Sequence, residues 1–251
     1  MAHDPSSLLA QAGNWLMHIP GDANLFWISV TLIAYASTMA LYRRSRAHPL
    51  MLPVVTGTAM VVALLVATDT PYPHYLSAVS PLVFMIGPAT VALAVPLFGQ
   101  VPRLKTLWRP VMVALLAGCV VAMGSAWLIA WVFGGNAQTL ISLVPKSSTM
   151  PIATSLSQHF GGLVPLAAAA VALTGISATM LSGPVLRWFF GPLDDAAHGF
   201  ALGLSAHAIG TARALQISET AGAFAAMAMS LNGLMTALLM PLVAAGIAAY
   251  R

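Results

Sequence analysis

Runs of about 20 apolar residues, cut by short polar stretches, follow one another along most of the chain. Read by length, they predict helices over about 23–42, 50–68, 77–100, 111–133, 141–158, 163–187, 196–216 and 220–249. No segment shows the ten-residue alternation of a membrane-barrel strand, so the expected class is an all-α polytopic membrane protein with seven or eight hydrophobic segments. Two segments stand apart. Residues 141–158 and 196–216 are too polar to face lipid along their length, and each can either cross the bilayer or turn back within it. Interrupted backbone at that depth is tolerated only where protein or water surrounds it.

Composition agrees with this pattern. Of 251 residues, 59% are hydrophobic and 6% charged, against about a quarter charged in an ordinary soluble domain. The net charge of +4 comes mainly from short loops. Basic residues cluster at Arg43, Arg44 and Arg46 and again at Arg103, Lys105 and Arg109, while "TDTPYPHY" between them has none. That asymmetry puts both basic loops in the cytoplasm, and the N-terminus outside if 77–100 spans the membrane. Nothing points to nucleic acid. Cys119 is the single cysteine, which excludes an internal disulfide and reads as a packed thiol. The first 22 residues lack the basic start and continuous apolar core of a cleaved signal. They are expected as an extension in which "SSLLAQAGNWLMHI" forms an interfacial helix with Trp15 near the headgroups. Residues 23–251 are expected as one transmembrane domain.

An internal echo adds organisation. Shifting the chain by 57 residues (145 minus 88) lays Pro88 on Pro145 and Thr90 on Ser147. The same shift lays Leu116, Gly118, Met123, Trp131, Phe133 and Gly134 on Leu173, Gly175, Met180, Trp188, Phe190 and Gly191. The repeat-like units would be about 77–134 and 135–191, each a proline-interrupted segment followed by a full helix. Paired interrupted segments of this kind point to a transporter's substrate site. The first copy, "GPATVALAVPLF", is almost wholly apolar, whereas the second, "VPKSSTMPIATS", carries a lysine and hydroxyls.

That second copy is the first candidate for chemistry. Lys146 at membrane depth is expensive unless it faces a cavity or partner; the alternative is a lysine that snorkels from a helix end. Ser147, Ser148 and Thr149 follow it, and Pro145 and Pro151 loosen the helix around them. Such a segment can aim N–H groups, hydroxyls and an ammonium at one anion. The second candidate is "GLSAHAIGTARALQISETAGAF", with Ser205, His207, Gly210, Thr211 and Arg213 among small residues. Arg213 keeps its charge and needs an acceptor. Glu219 lies roughly opposite it on a continuous helix, and a break near Gly210 or Ser218 would change that geometry. His207 titrates near neutrality unless its surroundings shift it, which makes it the candidate for a coupled proton; the alternative is a satisfied structural histidine. Asn232 reads as an interhelical hydrogen bond, His74 and Tyr75 as interfacial loop residues, and Asp194 and Asp195 as helix caps. His3, His18, His48, His159 and His198 show no metal-ligand spacing. No phosphate loop, nucleophile elbow or paired carboxylates occur, so neither an enzyme nor a cofactor or metal is expected.

"LVPKSSTMPIA", "SAHAIGTARA" and "GPATVALAVPLF" together resemble the signature segments of the LrgB/CidB family of antiholin-like, holin-associated membrane proteins. The family is in turn similar to the C-terminal half of the plastid glycolate/glycerate transporter. The resemblance covers about residues 25–250. Its pattern has an acidic residue after "ALQ", matched here by Glu219, and many members have a valine-like residue where Ser148 stands. The resemblance implies a multi-pass protein of the bacterial inner membrane, working with a smaller LrgA/CidA-type partner. It implies either modulation of murein hydrolase activity and lysis or movement of pyruvate, glycolate and related acids. Residue chemistry favours transport of small monocarboxylates or 2-hydroxy acids, with Lys146 and Arg213 sharing one carboxylate. Small-residue stripes such as "AAAAVALTGISA" suit internal packing, a homo-oligomer or a partner equally.

Overall fold

The computed structural model of the protein describes residues 22–45, 51–92 and 94–249. The proposed interfacial helix with Trp15, Arg46, and His3, His18 and His48 lie outside the described residues. Every regular element among the described residues is a helix, as expected. They are α1 (Asp22–Arg44), α2 (Pro53–Ala67), α3 (Tyr72–Ala78), α4 (Ser80–Phe84), α5 (Ile86–Ala92), α6 (Ala94–Gly99), α7 (Val101–Val132), α8 (Ala137–Leu143), α9 (Met150–His159), α10 (Val164–Phe190), α11 (Asp195–Ile217) and α12 (Glu219–Ala249).

Four of these, α1, α7, α10 and α12, are long and apolar enough to cross a membrane. The α2–α3 pair, bent by 119°, makes a fifth if it is one broken span. This is fewer than the seven or eight apolar segments, for a physical reason. In place of the expected helix 77–100 the chain forms a series of short helices from Tyr72 to Gly99, each containing a proline: Pro73, Pro81, Pro88 and Pro96. Each proline lacks an N–H and crowds the preceding turn, so the ladder breaks repeatedly. The segment 141–158 is two short helices, and 196–216 is kinked at its centre.

By contacts the chain forms two compact units, Met1–Ala89 and Thr90–Arg251. In the first, Trp27, Ala34, Val61, Leu65, Ala78 and Val79 make the core. Tyr75, expected in an interfacial loop, instead lies in α3 and meets the Trp27 ring edge-on at 5.6 Å. Its hydroxyl is 3.0 Å from Thr31 Oγ1. His74 is exposed in the same short helix.

In the second unit α7 and α12 run parallel. Leu115 clusters with Phe224 and Ala228, Cys119 Sγ lies 3.8 Å from Thr236 Oγ1, and Ala130 clusters with Ile247. Residue numbers therefore climb together. Both helices begin at one end of the unit, called basal here, and finish at the distal end. Cys119 is fully buried, with Met123 Sδ 3.7 Å away, a packed thiol as expected. At the basal end Arg103 pairs with Asp194 at 2.6 Å. Asp194 also caps α11, its Oδ1 accepting from Ala197 N at 2.7 Å. Since α8–α9 leaves and returns at the distal end, α10 runs back from distal to basal and α11 begins at the base.

Candidate functional site

Two helical hairpins enter the second unit from opposite ends. The distal one is α8–α9. Asn136 caps α8, accepting from Thr139 N at 2.9 Å. Beyond Leu143 the chain turns without helix through 144–149, with Lys146 N to Leu143 O at 3.2 Å and Ser148 N to Pro145 O at 3.0 Å. Thr149 is extended (φ −68°, ψ 152°) and starts α9, whose first turn holds Pro151. The arms lie side by side at their base: a Cβ on Gly162 would meet Ser157 Oγ at 2.5 Å and Ser142 Oγ at 2.9 Å. Ser142 Oγ accepts from Leu163 N at 2.7 Å, which ties the first arm to the start of α10.

The basal hairpin is α11 itself. Its break falls at His207 (φ 43°, ψ −129°), three residues before Gly210, one of the two positions near which a break is expected. Leu202 and Gly210 would lie about 12 Å apart on a straight helix. Instead a Cβ on Gly210 would strike Leu202 O, and Leu202 shares a buried cluster with Ala214. The helix folds back on itself, and Gly210 is the small residue that lets the returning arm pass. The outgoing arm runs parallel to α12: Cβ atoms on Gly199 and Gly203 would strike Ala221 O and Ala225 O. The returning arm runs antiparallel to α12, with Leu215 against Gly222 and Thr211 Oγ1 3.7 Å from Met229 Sδ. Ser218 is fully extended (φ −163°, ψ 164°) and its Oγ accepts from Ala221 N at 3.1 Å, which opens α12.

The two tips meet at Asn232. This residue is 1% exposed and sits near the midpoint of α12, a 31-residue helix about 46 Å long. Its Nδ2 donates to Ser147 O of the distal tip at 2.8 Å and to Leu204 O of the basal hairpin at 3.2 Å. Both amide protons are spent, which leaves Oδ1 as the acceptor of the side chain. Three residues beyond Leu204, His207 is buried with Nε2 3.0 Å from Val171 O of α10. A carbonyl only accepts, so Nε2 carries a proton and Nδ1 is the open nitrogen. Gly175 makes room for the ring: a Cβ there would stand 2.6 Å from His207 Cε1.

Ser147 and Ser148 are buried and Lys146 is half-buried. Ser148 Oγ returns to Pro145 O at 2.8 Å, whereas Lys146 Nζ and Ser147 Oγ have no hydrogen-bond or ion-pair partner among the described residues. Ser205 and Thr211 bond within their own arms, to Ala201 O at 2.6 Å and His207 O at 2.9 Å. Arg213 is not at this junction. It lies in the last turns of the returning arm and donates to Gln216 Oε1 at 3.2 Å. Glu219 is exposed at the start of α12. Pro88 lies within α5; the Thr90 side chain is outside the described residues. Sequence reasoning treated Asn232 as one interhelical bond and missed Val171 and Gly175. Gly175, opposite Gly118 in the 57-residue echo, was the available signal for close packing. An apolar cavity of about 350 Å³ lies at the basal end, between Leu107, Val111, Phe200 and Phe224. Its lining suits hydrocarbon, and it is separate from the junction.

The sequence profile of the LrgB-like family matches residues 31–245. The chain belongs to the LrgB-like family. Two relatives in Bacillus subtilis strain 168 are the uncharacterised proteins YwbG, 34% identical over 218 residues, and YxaC, 32% identical over 216. Each alignment covers 86% of this chain, and 94% of YwbG or 93% of YxaC. A protein of Bacillus mycoides strain KBAB4 named antiholin-like protein LrgB is 27% identical over 217 residues, 86% of this chain and 94% of its own. No solved structure matches the chain. The LrgB-like family assignment fits the multi-pass helical architecture, and the quoted signature segments fall on the two hairpins and on α5–α6.

Proposed function

We propose that this protein carries small monocarboxylates or 2-hydroxy acids across the bacterial inner membrane, with the anion bound at the junction of the two hairpin tips. The observation that carries the reading is Asn232 joining two broken helices that enter from opposite ends. Broken backbone near mid-membrane is tolerated only against protein or water, and carriers build their sites from such half-helices. A lysine at that depth costs about 2.5–3.5 kcal/mol on insertion scales, so Lys146 asks for an anionic partner. Ser147 Oγ, the first N–H groups of α9 and the Lys146 ammonium suit a carboxylate; Asn232 Oδ1 suits a hydroxyl. His207 is the proposed proton carrier, cancelling the substrate's charge. The basal end, with Arg103, Lys105, Arg109, Arg187 and Arg213, would face the cytoplasm. The 57-residue echo belongs to this reading: it pairs α7 with α10, and the proline-broken chain before one with the hairpin before the other. No enzymatic step is proposed.

The second reading is an antiholin-like regulator of murein hydrolase export and lysis, acting with an LrgA/CidA-type partner. The name carried by the Bacillus mycoides relative backs it better than the carrier. Purified protein in liposomes separates the two. A carrier gives saturable uptake of glycolate, lactate or pyruvate, competed by analogues. Lys146→Met keeps the stem and loses the charge, and should cut uptake about 10- to 100-fold, the worth of a charge-assisted hydrogen bond. Uptake should rise as pH falls, and His207→Gln should flatten that rise. Absence of saturable uptake, or leakage of unrelated solutes that ignores Lys146→Met, would favour the regulator.

A further inference from the structure

The fold-back of α11 gathers charge that is scattered along the sequence. Arg187 is in the last turn of α10, His198 within about one turn of the start of α11, and Arg213 within about one turn of its end. All three helix ends lie at the base, so the three side chains occupy one level, about 5 Å in from the helix ends. His198 is partly buried and lies within electrostatic range of Arg213, Arg187 and Asp195. Asp195 is the acidic member of the group, so the cluster stays net positive; Asp194 is committed to Arg103. Gln216 supports the Arg213 guanidinium. Directly after Arg187 come Trp188, Phe189 and Phe190, which are 83%, 68% and 70% exposed. Aromatic side chains displayed at a helix end belong at the headgroup level of a bilayer.

We infer that Arg187, His198 and Arg213 form a binding site for the phosphate of an anionic phospholipid at the basal end, with Trp188–Phe190 against its glycerol and upper acyl region. Two guanidiniums on different helices can share one phosphate, each donating in pairs to its oxygens. Bound lipid would pin the end of α10 to both arms of the basal hairpin, and so steady the element whose tip reaches Asn232. This inference does not depend on whether the junction carries a substrate.

The test uses the purified full chain in neutral detergent, titrated with phosphatidylglycerol or phosphatidylcholine and followed by thermal unfolding and native mass spectrometry. Phosphatidylglycerol should raise the unfolding temperature and remain bound, and phosphatidylcholine should do neither. Arg187→Gln and Arg213→Gln should each weaken phosphatidylglycerol binding about fivefold, the effect of one basic residue at an anionic surface. Lys105→Gln, at the same end on α7, should leave it unchanged. Arg187 is exposed, so its variant reads out binding even if Arg213→Gln unfolds. Equal stabilisation by phosphatidylcholine, or phosphatidylglycerol binding insensitive to Arg187→Gln, would overturn the site. A shift produced equally by free glycolate would also overturn it, and would make the cluster a vestibule for small anions.

Discussion

The distal hairpin turns through residues 144–149, an open stretch rich in hydroxyls with a lysine at its tip, whereas the basal hairpin turns at one histidine. The first is broken by composition. Pro145 and Pro151 flank the turn, and backbone atoms in between are left to bond locally or to Asn232. The second is broken against composition, since nothing in "LSAHAIGT" forbids a continuous helix. His207 there holds φ 43°, ψ −129°, a region that glycine favours, at a cost of about 1–3 kcal/mol. The open turn leaves side chains free to meet a ligand. The tight turn leaves almost none, and its arms are lined with glycine so that it can lie flat against α12. The distal hairpin presents a run of polar side chains, and the basal one presents His207 and a wall packed against α12.

The junction between them is where a change should cost most. Asn232→Ala strips partners from Ser147 O and Leu204 O together, and should destabilise the protein by about 2–4 kcal/mol. Asn232→Asp should be no better, because a carboxylate presents acceptors to two carbonyls. Denaturation of the purified protein in mild detergent measures both, and a loss below about 0.5 kcal/mol for Asn232→Ala would mean the tips do not depend on it.

The wall can be tested next. Gly203→Ala drives a methyl into Ala225 O on α12, and should cost about 1–3 kcal/mol as overpacking. Gly124→Ala on α7 meets nothing within 4 Å, and should instead gain up to about 1 kcal/mol from helix propensity. Equal effects from the two, read in the same denaturation experiment, would mean that α11 does not depend on a close approach to α12.

The smallest effect concerns the tight turn. His207→Gly loses the bond to Val171 O but relieves the backbone, so the two changes nearly offset. His207→Ala loses the same bond and keeps the strain. The glycine variant should therefore be the more stable by about 1–3 kcal/mol, the reverse of the usual order inside a helix. If alanine were the better substitute, the strain at His207 would not be real in solution.

Much of this architecture is legible in the order of residues alone. The apolar runs became α1, α7, α10 and α12 because length and hydrophobicity fix a helix that crosses a bilayer. The proline pair around Lys146 announces a break, since proline removes a donor wherever it stands. The proline series at 73, 81, 88 and 96 carries the same message, and a prediction by apolar length alone passes over it. Arg213 is different. Its charge and its apolar surroundings are visible in the sequence, but the reversal at His207 returns it to the basal end, away from Lys146.

The sequence by itself determined the solvent this protein lives in, the helical class, the family and the polar character of the 145–149 tip, because each depends on composition or on local backbone chemistry. Tertiary structure alone decided that both polar segments turn back, that they enter from opposite ends, and that Asn232 joins them. Those outcomes rest on which glycines find a backbone to lie against and on one amide reaching two carbonyls, contacts between residues 28 and 85 positions apart. Local propensity does not encode such contacts; only packing of the whole unit selects them.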